Sequence, residues 1–442
     1  MKTAAKTIFS KNTTGLLSVV CLALLGIIFF SPFPCNARVE AEWGGHLKTR
    51  GSVSWQDDAS IYGLADTGEY VDGSAELRLK NKLFFSGRLS METHYEALIT
   101  GGDTRRKTAD IQNRLPQIAG VMPGMNGLSD DWRFLDLTGV IDKNDSSLAY
   151  HRLDRLRLTY LPEWGSISLG RQALTWGNGL LFNPMDLFNP FAPTDIERDY
   201  KVGDDMAVVQ MYLDHIGDLQ FLYVPRRDPV TADPAWDQAS LAGKLHVMKN
   251  NLELDIMAAK HYADYTLGLG VSGYLKSAAW RMDAVYTFLS ANENKNGFLT
   301  CTANMDYSWV WATKNMYGLV ELYYNSLGED DSASALANSA IVERLGRGEL
   351  FTLGRYYLAT QIQAELHPLF NVFVTAITNL EDRSVIFQPR AAWNLAQNME
   401  LIFGAQMYAG ETGSEFGGFT IPGTDFTHKS PDSVFAWVTW YF

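Results

Sequence analysis

From Ala41 onward, apolar and polar residues alternate with a period of two rather than 3.6. In residues 88–99, RLSMETHYEALI, one face carries Leu89, Met91, Tyr95, Ala97 and Ile99, and the other Ser90, Glu92, His94 and Glu96. Residues 298–311 alternate more sharply. Leu299, Cys301, Ala303, Met305, Tyr307, Trp309 and Trp311 fall on one side, and Thr300, Thr302, Asn304, Asp306 and Ser308 on the other. Runs of about 12–14 residues are long for a globular strand and suit a tilted crossing of a bilayer. The pattern predicts about 18 strands, near 42–55, 73–85, 88–99, 148–161, 165–177, 204–214, 218–226, 239–249, 252–261, 264–275, 278–290, 298–311, 316–326, 352–366, 370–380, 384–396, 399–409 and 433–442.

Every second connection is tight, as at Ser86-Gly87, Asn250-Asn251 and Gln397-Asn398, whereas those at 100–147, 178–203, 327–351 and 410–432 are long. Short turns at one end and long loops at the other are the mark of an outer-membrane barrel, and an even strand count puts both termini at the short-turn, periplasmic end. In lipid every backbone N–H and C=O must be paired, so such a sheet must close on itself. That explains the apolar end of the chain, SVFAWVTWYF. Val434, Ala436, Val438, Trp440 and Phe442 form a lipid-facing side, with Trp440, Tyr441 and Phe442 at an interfacial aromatic belt. The predicted class is therefore all-β: a transmembrane antiparallel β-barrel over residues 38–442, after an N-terminal signal peptide.

The leader reads from residues 1–37. Lys2, Lys6 and Lys11 precede an apolar run from Leu16 to Phe30, Ser31-Pro32 breaks it, and Cys35-Asn36-Ala37 offers small residues for a cut after Ala37. A second cut of the same kind follows Ala41. Cleavage after Ala37 removes three lysines and no acid, so the net charge of −13 becomes three units more negative, which disfavours nucleic acid as a partner. Cys301 is then the sole cysteine, so no internal disulfide forms, and no Cys-x-x-Cys-His exists to hold haem. An exported, acidic, disulfide-free chain fits a bacterial envelope, and the barrel pattern makes the expected place the cell outer membrane.

A leader, about 18 amphipathic strands and a terminal Phe resemble the Gram-negative outer-membrane porin superfamily. Within it, GRQALTWGNGLLFNPMDLFNPFAPTDIERDYKVGDDM, residues 170–206, has Gly-Arg-Gln, Trp-Gly-x-Gly and Asn-Pro-x-Asp elements similar to those of porin-like families, including alginate-export-type barrels. The resemblance implies that the barrel-assembly machinery reads the chain through Phe442. It does not fix a substrate.

Residues 178–203 are the unusual loop. Leu181-Phe182-Asn183-Pro184-Met185-Asp186 is nearly repeated by Leu187-Phe188-Asn189-Pro190-Phe191-Ala192, and three X-Pro steps forbid regular helix or ladder. It is too apolar to wave in water. Two readings stand: folded into the lumen and narrowing the pore, or capping the outer rim or a neighbouring subunit. In the first, Asn183, Asp186, Asn189, Asp195, Glu197, Arg198 and Asp199 line the constriction. On the inward parity, Arg78, Lys80 and Lys82, then Glu92 and Glu96, then Arg155 and Arg157, and further on Glu253 and Asp255, form charge groups of the kind that set ion preference; the plainer reading is a solvated wall of ion pairs. His94, His151 and His261 share the inward parity without an evident partner, and no G-x-S-x-G occurs, so an enzyme is not expected. Gly268-Leu269-Gly270-Val271-Ser272-Gly273 matches a dinucleotide-type spacing but lies inside a strand with no helix after it, and reads as glycines on the lumen face. Asn292-Glu293-Asn294-Lys295-Asn296-Gly297 begins like a calcium loop but lacks its closing acid, and reads as a hairpin.

The expected function is passive passage of small solutes or ions, without cofactor, metal or catalytic residue, since 16–18 strands leave an aqueous lumen. The alternatives are a specific exporter of an anionic polysaccharide and the barrel sheath of a porin-cytochrome electron conduit. Expected partners are outer-membrane lipid, lipopolysaccharide and the assembly machinery, with a homotrimer or a periplasmic or cytochrome partner as further options. The facing assignment has a direct test. Trp309→Asp impairs membrane insertion, because a charge on the lipid face costs on the order of a few kcal/mol, whereas Asp306→Asn assembles normally; heat-modifiable electrophoretic mobility of the folded barrel distinguishes the two.

Overall fold

The computed structural model of the protein describes residues 39–58, 60–64, 68–114, 130–195, 200–214, 216–290, 296–421, 424 and 426–442; the expected leader lies outside them. Ala41–Phe442 is one compact unit, a closed antiparallel barrel of 18 strands. The staves in chain order are β1 (Glu40–Trp55), β2 (Glu69–Ser86), β3 (Leu89–Gly102), β4 (Ser147–Tyr160), β5 (Gly165–Gln172) and β6 (Asp204–Leu213). There follow β7 (Gly217–Val224), β8 (Ser240–Lys249), β9 (Leu252–His261), β10 (Asp264–Leu275), β11 (Ala278–Phe288) and β12 (Gly297–Trp311). The last six are β13 (Lys314–Asn325), β14 (Tyr356–His367), β15 (Phe370–Asn379), β16 (Val385–Ala396), β17 (Met399–Ala409) and β18 (Asp432–Tyr441).

Consecutive staves pair along the wall, and β18 closes it against β1 from His46↔Tyr441 to Trp55↔Asp432. Phe442 completes the seam. Its N–H donates to the Gly45 carbonyl (3.1 Å) and its carbonyl accepts from the Gly45 N–H (2.9 Å). A Cβ at Gly45 would sit 2.9 Å from the Phe442 ring and 2.2 Å from the Arg78 carbonyl, so the first strand has glycine where the last ring must lie. The faces fall as the alternation requires: Val434, Trp440 and Phe442 are exposed on the outside, while Phe435, Trp437 and Thr439 are buried within.

Two departures from the alternation have local causes. In β4, His94 faces Arg155 across the ladder but Tyr95 faces Leu153, so Asp154 is an extra, bulged residue. The bulge reverses parity above it. Arg155 and Arg157 point inward, and so do Arg152 and Tyr150, but His151, expected inside, turns outward against Tyr95, with ring centroids 5.8 Å apart. The strand expected over 165–177 ends at Gln172, because the chain there leaves the wall. A short strand, Thr138–Lys143, takes over the upper edge of β4 from Thr138↔Arg152 to Lys143↔Leu148.

The long loops assemble over one end. Ile61, Ile111 and Ile421, with Tyr62 and Phe426, join three of them, including helix α1 (Asp103–Arg114), in one apolar cluster. Residues 326–355 carry α2 (Ser332–Ala337) and α3 (Ser339–Arg347), which bury Ala335, Ile341 and Leu350 against Phe298. The β9–β10 connection is tight at this end, and α3 occupies the low rim it leaves. Arg344 pairs with Asp264, Glu349 accepts from His261 (3.2 Å), and the Arg347 guanidinium lies 3.8 Å from the Tyr262 ring centre.

Candidate functional site: a loop folded through the lumen

Inside the barrel the wall is not uniformly polar. Val208, Leu222, Val224, Ala242, Met257, Ala259 and Val285 face inward over β6–β11 and bury Trp176, Met185 and Phe188 of the 173–203 connection. The described part of the loop around these residues therefore lies folded inside the barrel. Each large side chain so buried contributes about 1.5–3 kcal/mol. Gly268 and Gly270 on β10 make the floor on which it sits. A Cβ at Gly270 would meet Asp283 Oδ1 at 2.6 Å, Asn178 Nδ2 at 2.8 Å and Met185 Sδ at 3.2 Å.

A backbone that leaves the sheet for a buried place needs new hydrogen-bond partners, and the wall supplies them. Asp283 accepts from the Asn178 N–H (2.6 Å) and Nδ2 (2.9 Å). Asn304 Nδ2 donates to the Asn178 carbonyl (3.2 Å). Glu321 accepts the N–H groups of Leu180 (2.8 Å), Leu181 (3.0 Å) and Phe182 (2.6 Å). Phe182 stacks on Tyr323 at 4.4 Å. After Asn183-Pro184 the chain turns back to Phe188, which meets His261 edge-on, and then crosses to β16, where Gln388 Nε2 donates to the Thr194 carbonyl (3.1 Å). Tyr200 reaches β1 and β2, stacked on His46 at 5.8 Å, with Arg78 and Lys80 4.4 and 4.2 Å from its ring centre. Asp154 receives the Gly203 N–H (3.1 Å), and buried Lys201 binds Asp186 and the Leu174 carbonyl, joining the two arms of the loop at its neck.

The loop residues singled out in the sequence thus divide. Asp186 is held in the neck pair, where burial pushes its carboxyl up to about 6 against the pull of Lys201. Asn183 donates to the Trp176 carbonyl (2.9 Å), and Asn189, at φ +53°, to the Val202 carbonyl (3.4 Å). Asp195 is half-buried near the crossing to β16. Glu197, Arg198 and Asp199 lie outside the described residues.

The wall charges are mostly mutual. Arg78 binds Asp154 and Glu96 (3.3 Å), Arg152 binds Glu96 (2.9 Å), Arg155 binds Asp154 (2.6 Å), and Glu92 takes Arg157 and His94 (3.0 Å). Lys80 and Lys82 form no ion pair among the described residues. On the other side Asp255 binds His246 (3.0 Å) and Lys244 (3.3 Å), and Glu253 accepts from Ser272 Oγ (3.3 Å). Residues outside the charge groups and the loop candidates, Asp154, Asp283, Asn304, Glu321 and Gln388, hold the loop, and its own Tyr200 anchors it on β1 and β2. For Asp283, Asn304, Glu321 and Gln388 the only signal in the sequence is a polar residue on the inward parity, which every wet wall also shows, while Asp154 falls on the outward parity until the bulge turns it in.

This closed wall, with a connection turned into its bore, matches known architectures. No protein-family model and no curated protein matches the sequence. Solved structures do: Acinetobacter baumannii OccAB3 at 8% identity and TM-score 0.52, covering 92% of this chain and 99% of that one; OccAB4 of the same organism at 9% and 0.51, covering 91% and 98%; and OccAB1 at 9% and 0.50, covering 91% and 96%. These are outer-membrane porins of Gram-negative bacteria. The fold is that of the outer-membrane porins.

At the loop end one buried acid ties several connections together. Glu415, in the connection before β18, accepts from the Leu353 N–H (2.8 Å), Tyr357 OH and Asn379 Nδ2 (2.9 Å), and its own N–H donates to Asp382 (2.7 Å). Burial raises its carboxyl to about 7, only partly opposed by those donors. A folded value above the ordinary 4.5 means that the tied form binds a proton the released form has lost. The tie is therefore strongest below about pH 4.5 and weakens as pH rises through 7. Proteolysis of the 410–431 loop in the folded barrel is slower at pH 5 than at pH 8, and Glu415→Gln flattens that difference. Gly270→Val drives a side chain into the loop's seat and lowers barrel stability by about 1–3 kcal/mol, read from the temperature at which heat-modifiable mobility is lost. Gly51→Ala, which meets nothing within 4 Å, leaves it unchanged.

Proposed function

We propose that this protein is an outer-membrane channel through which small solutes or ions pass by diffusion, narrowed by its own 173–203 loop. One observation carries the reading. The loop is hydrogen-bonded to wall side chains of β4, β11, β12, β13 and β16, so it is a built part of the bore. On this reading the chain reaches the outer membrane after its leader, residues 1–37, is removed. It is assembled there through its terminal strand and contacts lipid and lipopolysaccharide with its outer face.

The same observation weighs against the alternatives. A sheath for a cytochrome needs an empty bore, and this one holds its own chain. An exporter of an anionic polysaccharide needs a basic track, yet Arg78, Arg155 and Arg157 are each matched by Asp154, Glu96 or Glu92. Lys80 and Lys82 are the cations that carry selectivity here, with Tyr200 beside the first. Catalysis has no part in this reading.

Purified protein in planar lipid bilayers conducts ions in discrete steps. The combined Lys80→Gln and Lys82→Gln variant shifts the zero-current potential in a salt gradient towards cation preference. A silent barrel that recovers a haem protein from the envelope would sink the channel reading.

A further inference from the structure

Among the contacts between wall and loop, one differs in kind. Glu321, on the inner face of β13, is fully buried and takes the N–H groups of three consecutive residues, Leu180, Leu181 and Phe182, at 2.8, 3.0 and 2.6 Å. Its fourth donor is Asn304 Nδ2 (3.0 Å). Among the described residues every donor that reaches it is an amide, so there the buried charge is balanced by amide dipoles. Three successive peptide planes cannot all aim at one carboxylate unless the chain direction is fixed there. Immediately afterwards Asn183-Pro184 turns the chain back to Met185 and Phe188, which are buried on the wall of β6–β11. Asp283, two staves away, fixes Asn178 at the start of the same stretch.

We infer that Glu321 is the positioning residue that sets how far the loop projects into the bore, with Asp283 as its second tether. The inference rests on the channel reading. In a ring of 18 staves β13 stands opposite β4. The distance from Glu321 across to the Arg155–Asp154 wall is therefore the span that the loop divides. Glu321 touches no solute in this account; it acts through residues 180–182.

The test uses the full-length folded barrel with Glu321→Gln, Glu321→Ala, Asp283→Asn and the Glu321→Ala, Asp283→Asn pair. Glu321→Gln keeps the shape but turns a donor towards amides that need an acceptor. Single-channel conductance and open-current noise both rise, conductance by about twofold in Glu321→Gln and further in the pair. Trypsin cleavage after Lys201, buried in the seated loop, becomes about tenfold faster. Heat-modifiable mobility certifies that each barrel is closed, and if Glu321→Ala fails to fold, the Gln and Asn variants carry the test. Closed barrels with the conductance, noise and Lys201 protection of the parent overturn the inference, as does a fall in melting temperature alone. Should the parent not conduct, the channel reading fails, yet cleavage still decides: faster cleavage in Glu321→Gln upholds the positioning role and unchanged cleavage ends it.

Discussion

A peptide group taken out of water must find a partner, and this one constraint shapes the protein twice. Towards lipid it closes the sheet, so that β18 pairs with β1 and the Phe442 carbonyl is met by Gly45. Towards the lumen it governs the connection after β5. That chain leaves the ladder, is buried against Met257 and Val285, and has no strand to pair with. Its amides and carbonyls are taken up instead by Asp154, Asp283, Asn304, Glu321 and Gln388. The outer surface meets the constraint with backbone, the inner one with side chains.

The electrostatics follow from the same arrangement. Acids on the inner face do two tasks, neutralising arginines and accepting amides, and Asp154 does both at once, binding Arg78, Arg155 and the Gly203 N–H. The charges that the sequence groups on β2, β3 and β4 are, once folded, mostly paired with one another, and Lys80 and Lys82 stand out among them.

The wall was legible because a barrel is decided locally. Period-two alternation locates each of the staves and their greasy sides, as at Leu299, Met305 and Tyr307. His151 misleads because one bulged residue, Asp154, inverts the parity above it, and no feature of HRLDRLRL marks which residue is extra. The lumen was legible only in part. The apolar, proline-broken repeat around Asn183 and Asn189 announces a loop that must be covered, and Gly268 and Gly270 announce space on the inner face. That the one fills the other depends on residues far apart in sequence. Glu321 and Asp283 look in isolation like any acid on a wet wall; what distinguishes them is that their partners among the described residues are amides, three successive N–H groups for Glu321 and Asn178 for Asp283.

Those separations bear on how the molecule is made. The loop's hydrogen-bond partners on the wall lie 141 residues downstream for Leu180 and 194 for Thr194. Strands up to β16 must exist before the last of them is in reach, and contacts this distant form late and slowly. While the early staves are being laid, Trp176, Phe182 and Phe188 have no home. The finishing of this barrel thus concerns its interior as well as its seam: the greasy inner segment finds its seat only once the wall that covers it has been laid.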